Sequence, residues 1–246
     1  MFLPKIKKYQ KKYSYSYAFG SYPVLEILKK HSDKILLILF KQEGLESSAT
    51  KEILELAQQK KIKTEINSKL IDKIAVKENT YVVAVFKKYD TVLDSDENHL
   101  VLVNPTNKGN LGTVIRTMLG FNFKNLGIIN PSVDIFDPMV VRATMGGLFS
   151  INFMHYGTID DYIKQFPNHN LYPFMLKGES NILDTVFKKP FTIIQGNESR
   201  GLDDRYLELG ESVYIPHSKD IDSLNLSIAS GISLWEASKD SLEFRR

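Results

Sequence analysis

The sequence reads as an α/β protein built on a largely parallel sheet, and three features carry that expectation. Short apolar runs of strand length recur along the chain, amphipathic stretches of helix length separate them, and a polar stretch near residue 90 divides two such series. No apolar run approaches the roughly 20 residues that a membrane-spanning helix needs.

Taken in order, YPVLEILKKH (22–31) places its apolar residues at helical spacing, and KILLILF (34–40) is a continuous apolar run of strand length. SATKEILELAQQKK (48–61) opens on Ser and keeps a helical period, and TYVVAVF (80–86) is rich in β-branched residues, so a helix and a buried strand follow. KKYDTVLDSDENH (87–99) lacks periodicity and turns acidic toward its end, which marks a linker between domains of about 1–93 and 97–246. Beyond it HLVLV (99–103), LGIIN (126–130), FTIIQ (191–195) and SVYIP (212–216) read as strands. NLGTVIRTMLGF (110–121), TIDDYIKQF (158–166) and SLNLSIASGISLWEASK (223–239) read as helices.

Composition narrows the class. A chain of 246 residues can bury one large core or two smaller ones. With no cysteine, a disulfide scaffold, a thiolate zinc site and a cysteine nucleophile are excluded. Residues 1–95 hold 18 basic and 11 acidic residues, a balance of +7, whereas residues 96–246 hold 14 basic and 18 acidic, a balance of −4. A basic first half suits a polyanionic partner. Within it, KIKKYQKKYSYSY (5–17) interleaves Lys with Tyr, a composition that fits phosphate contact and base stacking and equally a solvated chain end. The opening residues lack an apolar h-region, so a cytoplasmic setting is expected.

The familiar phosphate and hydrolase motifs are missing: no G-x-G-x-x-G follows a strand, and there is neither a Walker-type loop nor a G-x-S-x-G elbow. His31, His99, His155, His169 and His217 are scattered without metal-ligand spacing, so no metal is expected. Three clusters in the second half remain. Asn107 to Thr117 follows the strand HLVLV and opens a helix, where backbone N–H groups and the positive end of the dipole gather; Arg116 comes six residues after Asn110. Gly196 to Leu202 directly follows FTIIQ, at the end of a buried strand where α/β proteins place their sites. Ile215-Pro216-His217 precedes Ser223 and Asn225, polar residues at the start of an otherwise apolar helix, where a helix cap is the simplest reading.

Taken together and in this order, the clusters resemble the three signature motifs of the SpoU/TrmH family of RNA 2′-O-ribose methyltransferases, within the SPOUT superfamily. The family pattern N-[LV]-G-x-x-x-R-[TS] is similar to Asn110 to Thr117, and G-x-E-x-x-G-[LM] to Gly196 to Leu202. I-P-M followed by S-L-N-[VL]-S-x-A is similar to Ile215-Pro216 and Ser223 to Ala229, and Val141 to Gly146 resembles a weaker element between the first two motifs. Where the family usually has Met after Ile-Pro and Gly two residues later, this chain has His217 and Lys219, a change in the loop expected beside the cofactor. The first half resembles an L30e-type RNA-binding domain, with Ala18-Phe19-Gly20 as its opening strand-to-helix turn and LIDKIAVKENTYVVAVF as its closing helix and strand.

The resemblance implies more than periodicity does. Pattern reading alone yields an open doubly wound sheet, whereas the family ties its C-terminal segment into a deep trefoil knot that forms the pocket for S-adenosylmethionine. It implies transfer of a methyl group to a ribose 2′-OH, with rRNA as substrate ahead of tRNA, and a homodimer joined through the knot region; the apolar face of ISLWEASK, with Trp235, is a candidate contributor to it and equally a place for a buried core tryptophan. By position, Asn110, Arg116, Glu198, Ser223 and Asn225 are the catalytic set, with Glu198 orienting Arg116 or taking a proton. Leu176, Gly196, Ile215 and Leu224 are the cofactor-binding set. A catalytically silent RNA-binding protein that keeps the fold is the competing reading from another class.

Overall fold

The computed structural model describes residues 5–240. Its first elements in chain order are β1 (Tyr15–Phe19), α1 (Ser21–Lys30), β2 (Ile35–Phe40), α2 (Ser48–Gln59), β3 (Thr64–Ile66), α3 (Ser68–Ile74) and β4 (Val82–Lys87). There follow β5 (His99–Val103), α4 (Lys108–Gly120), β6 (Asn125–Ile129), α5 (Pro138–Ala143), β7 (Asn152–Tyr156), α6 (Ile159–Gln165) and β8 (Asn170–Pro173). The last are β9 (Ser180–Asn181), β10 (Phe191–Gln195), β11 (Val213–Tyr214) and α7 (Leu226–Ser238). They fall into two compact units, residues 1–89 with 134–150, and residues 90–133 with 151–246.

The first unit carries a four-stranded sheet in the order β1-β4-β2-β3, antiparallel except for the β2–β3 pair. Tyr15, Tyr17, Phe19, Leu37, Leu39, Ile71, Ile74, Val83 and Val85 form one of its core clusters. This corrects the reading of the Lys/Tyr opening as a stacking platform. Tyr15 and Tyr17 are 5% and 0% exposed because β1 pairs along its length with β4. The hydroxyl of the half-buried Tyr9 donates to Asp134. The lysines of the same stretch, Lys5, Lys7, Lys8, Lys11 and Lys12, remain exposed.

A division of the chain at 93–97 also needs correcting. Residues 134–150 come from the second half yet belong to the first unit. The reason is apolar: Phe136, Val140, Val141, Leu148 and Phe149 are all buried, and the rings of Phe136 and Phe149 meet Phe86 edge-on at 5.8 and 5.4 Å. The resembling element Val141 to Gly146 lies in this segment.

The second unit is organised by a five-stranded, wholly parallel sheet in the order β7-β6-β5-β10-β8. Strands β5, β6 and β10 are buried at every position, as parallel strands covered on both faces must be. The expected strand at 212–216 shrinks to the two residues of β11, which pair with β9 in a separate ribbon. Strands β7 and β8 escaped the pattern reading because Asn152, His155 and Asn170 break their apolar runs.

At the N-terminal edge of this sheet a polar network is buried. The Tyr162 hydroxyl lies 2.8 Å from His99 Nδ1 and 2.6 Å from Thr192 Oγ1, which in turn lies 2.9 Å from His169 Nδ1. The outer ring nitrogens donate to the carbonyls of Asp94 and Ser95, at 2.7 and 3.0 Å. The linker is thereby fastened to the strand starts. Among the described residues, no helix is long and apolar enough to cross a membrane.

Candidate active site

The site is built at the carboxyl ends of the parallel strands. Asn107 caps α4 by accepting from the N–H of Asn110, so the helix starts at Lys108 and Arg116 stands on its third turn, exposed. After β10 the chain turns sharply through Gly196 to Gly201. A Cβ on Gly196 would lie 2.3 Å from the Gly201 carbonyl carbon, and Gly201 itself has φ +66°, so both positions require glycine. Asn197 holds the turn closed, its Oδ1 accepting from the N–H groups of Ser199 and Arg200 at 2.9 and 3.2 Å and its Nδ2 donating to the Asn104 carbonyl at 2.7 Å.

That turn delivers Glu198 to the start of α4. One carboxylate oxygen accepts from the N–H and hydroxyl of Thr106 at 3.1 and 2.9 Å; the other accepts from the N–H of Asn107 at 3.0 Å and Asn110 Nδ2 at 3.4 Å. Burial raises the pKa of Glu198, but these donors outweigh it and hold the carboxyl below its ordinary value. Asn110 passes the connection on, for its Oδ1 accepts from Asn225 Nδ2 at 3.3 Å. Asn225 Oδ1 accepts from the N–H and hydroxyl of Ser227 and caps α7. The cap is therefore Asn225 rather than Ser223, and the helix begins at Leu226.

Three of the five expected catalytic side chains, Asn110, Glu198 and Asn225, thus form one hydrogen-bonded chain. The structure does not place Arg116 on it. The Glu198 oxygens are taken up by the α4 loop, and among the described residues Arg116 has no ion-pair partner, which corrects the expectation that Glu198 orients it.

Beside the chain opens a pocket of about 490 Å³. Leu176, Gly196, Ile215 and Leu224 all line it, as do Glu198 and Ser223, whereas Asn110, Arg116 and Asn225 are not among its walls. Leu176 is exposed and the other three of the quartet are half-buried. His217 also faces the pocket, its Nδ1 donating to the Ile215 carbonyl at 2.8 Å; Lys219 is exposed and is not a wall residue. Sequence reading missed three further wall residues, Lys177, Asp204 and Gln195. Lys177 and Asp204 pair at 3.1 Å across 27 residues of sequence and left no signal; the polar Gln195 closing the apolar run FTII was a usable one. No group of three or more His, Asp or Glu among the described residues is placed to hold a metal ion.

Comparison with known proteins agrees with this geometry. Residues 97–235 match the family model described as the SpoU rRNA Methylase family. The chain is 28% identical over 150 residues to the 23S rRNA (uridine(2479)-2′-O)-methyltransferase of Streptomyces viridochromogenes, a match covering 57% of this chain and 52% of the relative. The matched region thus spans about half the length of that relative. A second relative, the 23S rRNA (guanosine-2′-O-)-methyltransferase RlmB of Acinetobacter baylyi, is 24% identical over 247 residues, covering 92% of this chain and 98% of the relative. Among solved structures, the AdoMet-bound rRNA methyltransferase from Sinorhizobium meliloti superimposes with a TM-score of 0.80 at 26% identity, covering 94% of this chain and 89% of that one.

Proposed function

The chain belongs to the SpoU rRNA methylase family, and from that premise we propose that it transfers a methyl group from S-adenosylmethionine to a ribose 2′-OH of 23S-type rRNA. The observation that carries this reading is the hydrogen-bonded chain Glu198–Asn110–Asn225, which joins all three motif clusters beside the pocket lined by Leu176, Gly196, Ile215 and Leu224. Similarity that runs nearly end to end with a 23S rRNA enzyme favours rRNA over tRNA.

The pocket fits the cofactor. Its volume lies within the roughly 300–1,000 Å³ of small-molecule sites, and its walls combine apolar side chains for a flat base with polar groups for a charged tail. Leu176, Gly196, Ile215 and Leu224 would hold the adenosyl part. When bound, S-adenosylmethionine supplies a methyl group made electrophilic by its sulfonium.

The chain's own task is to align the hydroxyl and ease the departure of its proton. A guanidinium stays protonated in proteins, so Arg116 is no base; it clamps an adjacent phosphate and stabilises the developing alkoxide. Glu198, already engaged by five donors, fixes the shape of the α4 loop. Asn110, Asn225 and Ser223 position the substrate against that frame.

The exposed lysines at 5–12 support an RNA-facing, L30e-type role for the first half. The insertion of β10 between β5 and β8, together with the packing of α7 on α4, supports the trefoil knot of the family. Ile228, Ile232 and Trp235 are exposed at helical spacing on α7, which supports a homodimer through this region.

Incubation with methyl-labelled S-adenosylmethionine and total unmodified RNA tests the proposal. Label is expected in a 2′-O-methylnucleotide of the large rRNA. Label confined to tRNA or to a base refutes the substrate or the reaction, and no transfer together with retained RNA binding leaves the silent binding protein.

A further inference from the structure

One buried polar side chain of the pocket has no role in the scheme above. Gln195 closes β10, lines the pocket and is only 4% exposed. Its Nε2 donates to Ser233 Oγ at 3.0 Å, and Ser233 Oγ donates to the Ser230 carbonyl at 3.0 Å. A carbonyl only accepts, so the single hydroxyl proton of Ser233 goes to Ser230, and its oxygen must accept from the amide nitrogen. That leaves Gln195 Oε1 and the second N–H of Nε2 without a partner among the described residues.

Among the described residues Oε1 accepts no hydrogen bond. Nor is it sealed in protein, for it is not among the fully enclosed, unsatisfied side-chain atoms of the described residues. Oε1 therefore keeps access to open space, and the open space that Gln195 lines is the pocket. A buried acceptor held in one orientation toward a cavity awaits a donor from the occupant.

Resting on the cofactor reading above, we infer that Gln195 Oε1 accepts a hydrogen bond from the exocyclic amine of an adenine-type base. The surroundings select that donor. Gln195 is neutral and buried, and Leu226 and Ala229 of α7 line the same pocket with apolar surface, which suits the flat base. Of the charged wall residues, Lys177, Arg200, Asp204 and Asp222 are exposed, and the half-buried Glu198 is engaged by the α4 loop, so the charged amino-acid end belongs at the rim. A base with an oxo group in place of the amine would set two acceptors face to face, and a site built around a hydrogen bond rejects such an analogue strongly.

Calorimetric titration with S-adenosylhomocysteine and S-inosylhomocysteine tests this on the full chain, Gln195→Leu and Ser233→Ala, with thermal melting to check folding. The unsubstituted protein is expected to prefer the adenosyl ligand by at least about 30-fold. Gln195→Leu should weaken the adenosyl ligand about tenfold and leave the inosyl ligand nearly unchanged. Ser233→Ala only unlocks the amide and should give an intermediate preference. A preference identical in all three proteins overturns the role of Gln195 while the cofactor reading stands. Binding of neither ligand by the unsubstituted protein overturns both.

Discussion

Glu198 illustrates how one side chain is torn between two effects. Partial burial penalises its charge, yet two backbone N–H groups of the α4 loop, a hydroxyl and two side-chain amides converge on its oxygens, and the donors prevail. Glu198 is therefore ionised throughout the neutral range, and a carboxylate so satisfied is a poor proton acceptor. Replacing it by Gln would turn an NH₂ group toward donors, so Glu198→Gln should destabilise by about 1–3 kcal/mol, read as a lowered unfolding midpoint. An unchanged midpoint would mean that the clamp contributes nothing. Arg116 makes the opposite case, exposed and unpaired among the described residues. Arg116→Ala should lower methyl transfer by about 10²–10³-fold and leave cofactor affinity within about twofold of the original; normal turnover would remove it from the reaction. Both residues were legible in the sequence by position. The hydrogen bonds that part their roles were not, because they join residues about 90 apart.

Among the elements, β1 departs furthest from its sequence. A stretch of alternating Ser and Tyr beside lysines suggests a wet surface, but pairing with β4 buries both Tyr15 and Tyr17. β-Propensity depends on which neighbours a strand acquires, and those are distant in the chain. The starts of β5 and β10 hold a second such surprise, for the scattered His99 and His169 meet there with their rings 4.4 Å apart. Burial lowers His99 to about 4; the Asp94 carbonyl partly opposes this and the neighbouring His169 adds to it. Because the folded value lies below the ordinary 6.5, the unfolded chain takes up a proton that the folded chain refuses. Stability should therefore fall as pH drops from about 6.5 to 4, by about 3 kcal/mol at most, and level off below for this group. Urea unfolding at pH 7 and pH 4.5 measures the difference, which His99→Gln should reduce; an equal pH dependence in that variant would assign the effect elsewhere.

For the molecule as a whole, the excursion 134–150 decides which pieces can stand alone. A fragment beginning at residue 97 would carry Phe136, Val140, Val141, Leu148 and Phe149 without the strands and helix that cover them. Such a fragment should bind a hydrophobic dye and form species larger than a dimer in size-exclusion chromatography, whereas the full chain should be dye-silent and no larger than a dimer. A dye-silent fragment no larger than a dimer would show that the segment finds other cover. The α/β class, the parallel strands β5, β6 and β10 and the three clusters were readable because each is local: an apolar run, a turn that needs glycine, a capped helix start. Local sequence sufficed for those elements and, through the motif pattern, for the family. It took the folded arrangement to show that Asn225 caps α7 while reaching Asn110, that Glu198 serves the α4 loop rather than Arg116, and that residues 134–150 join the first unit. Each of these depends on contacts between residues far apart in the chain, whose register and burial no local spacing encodes.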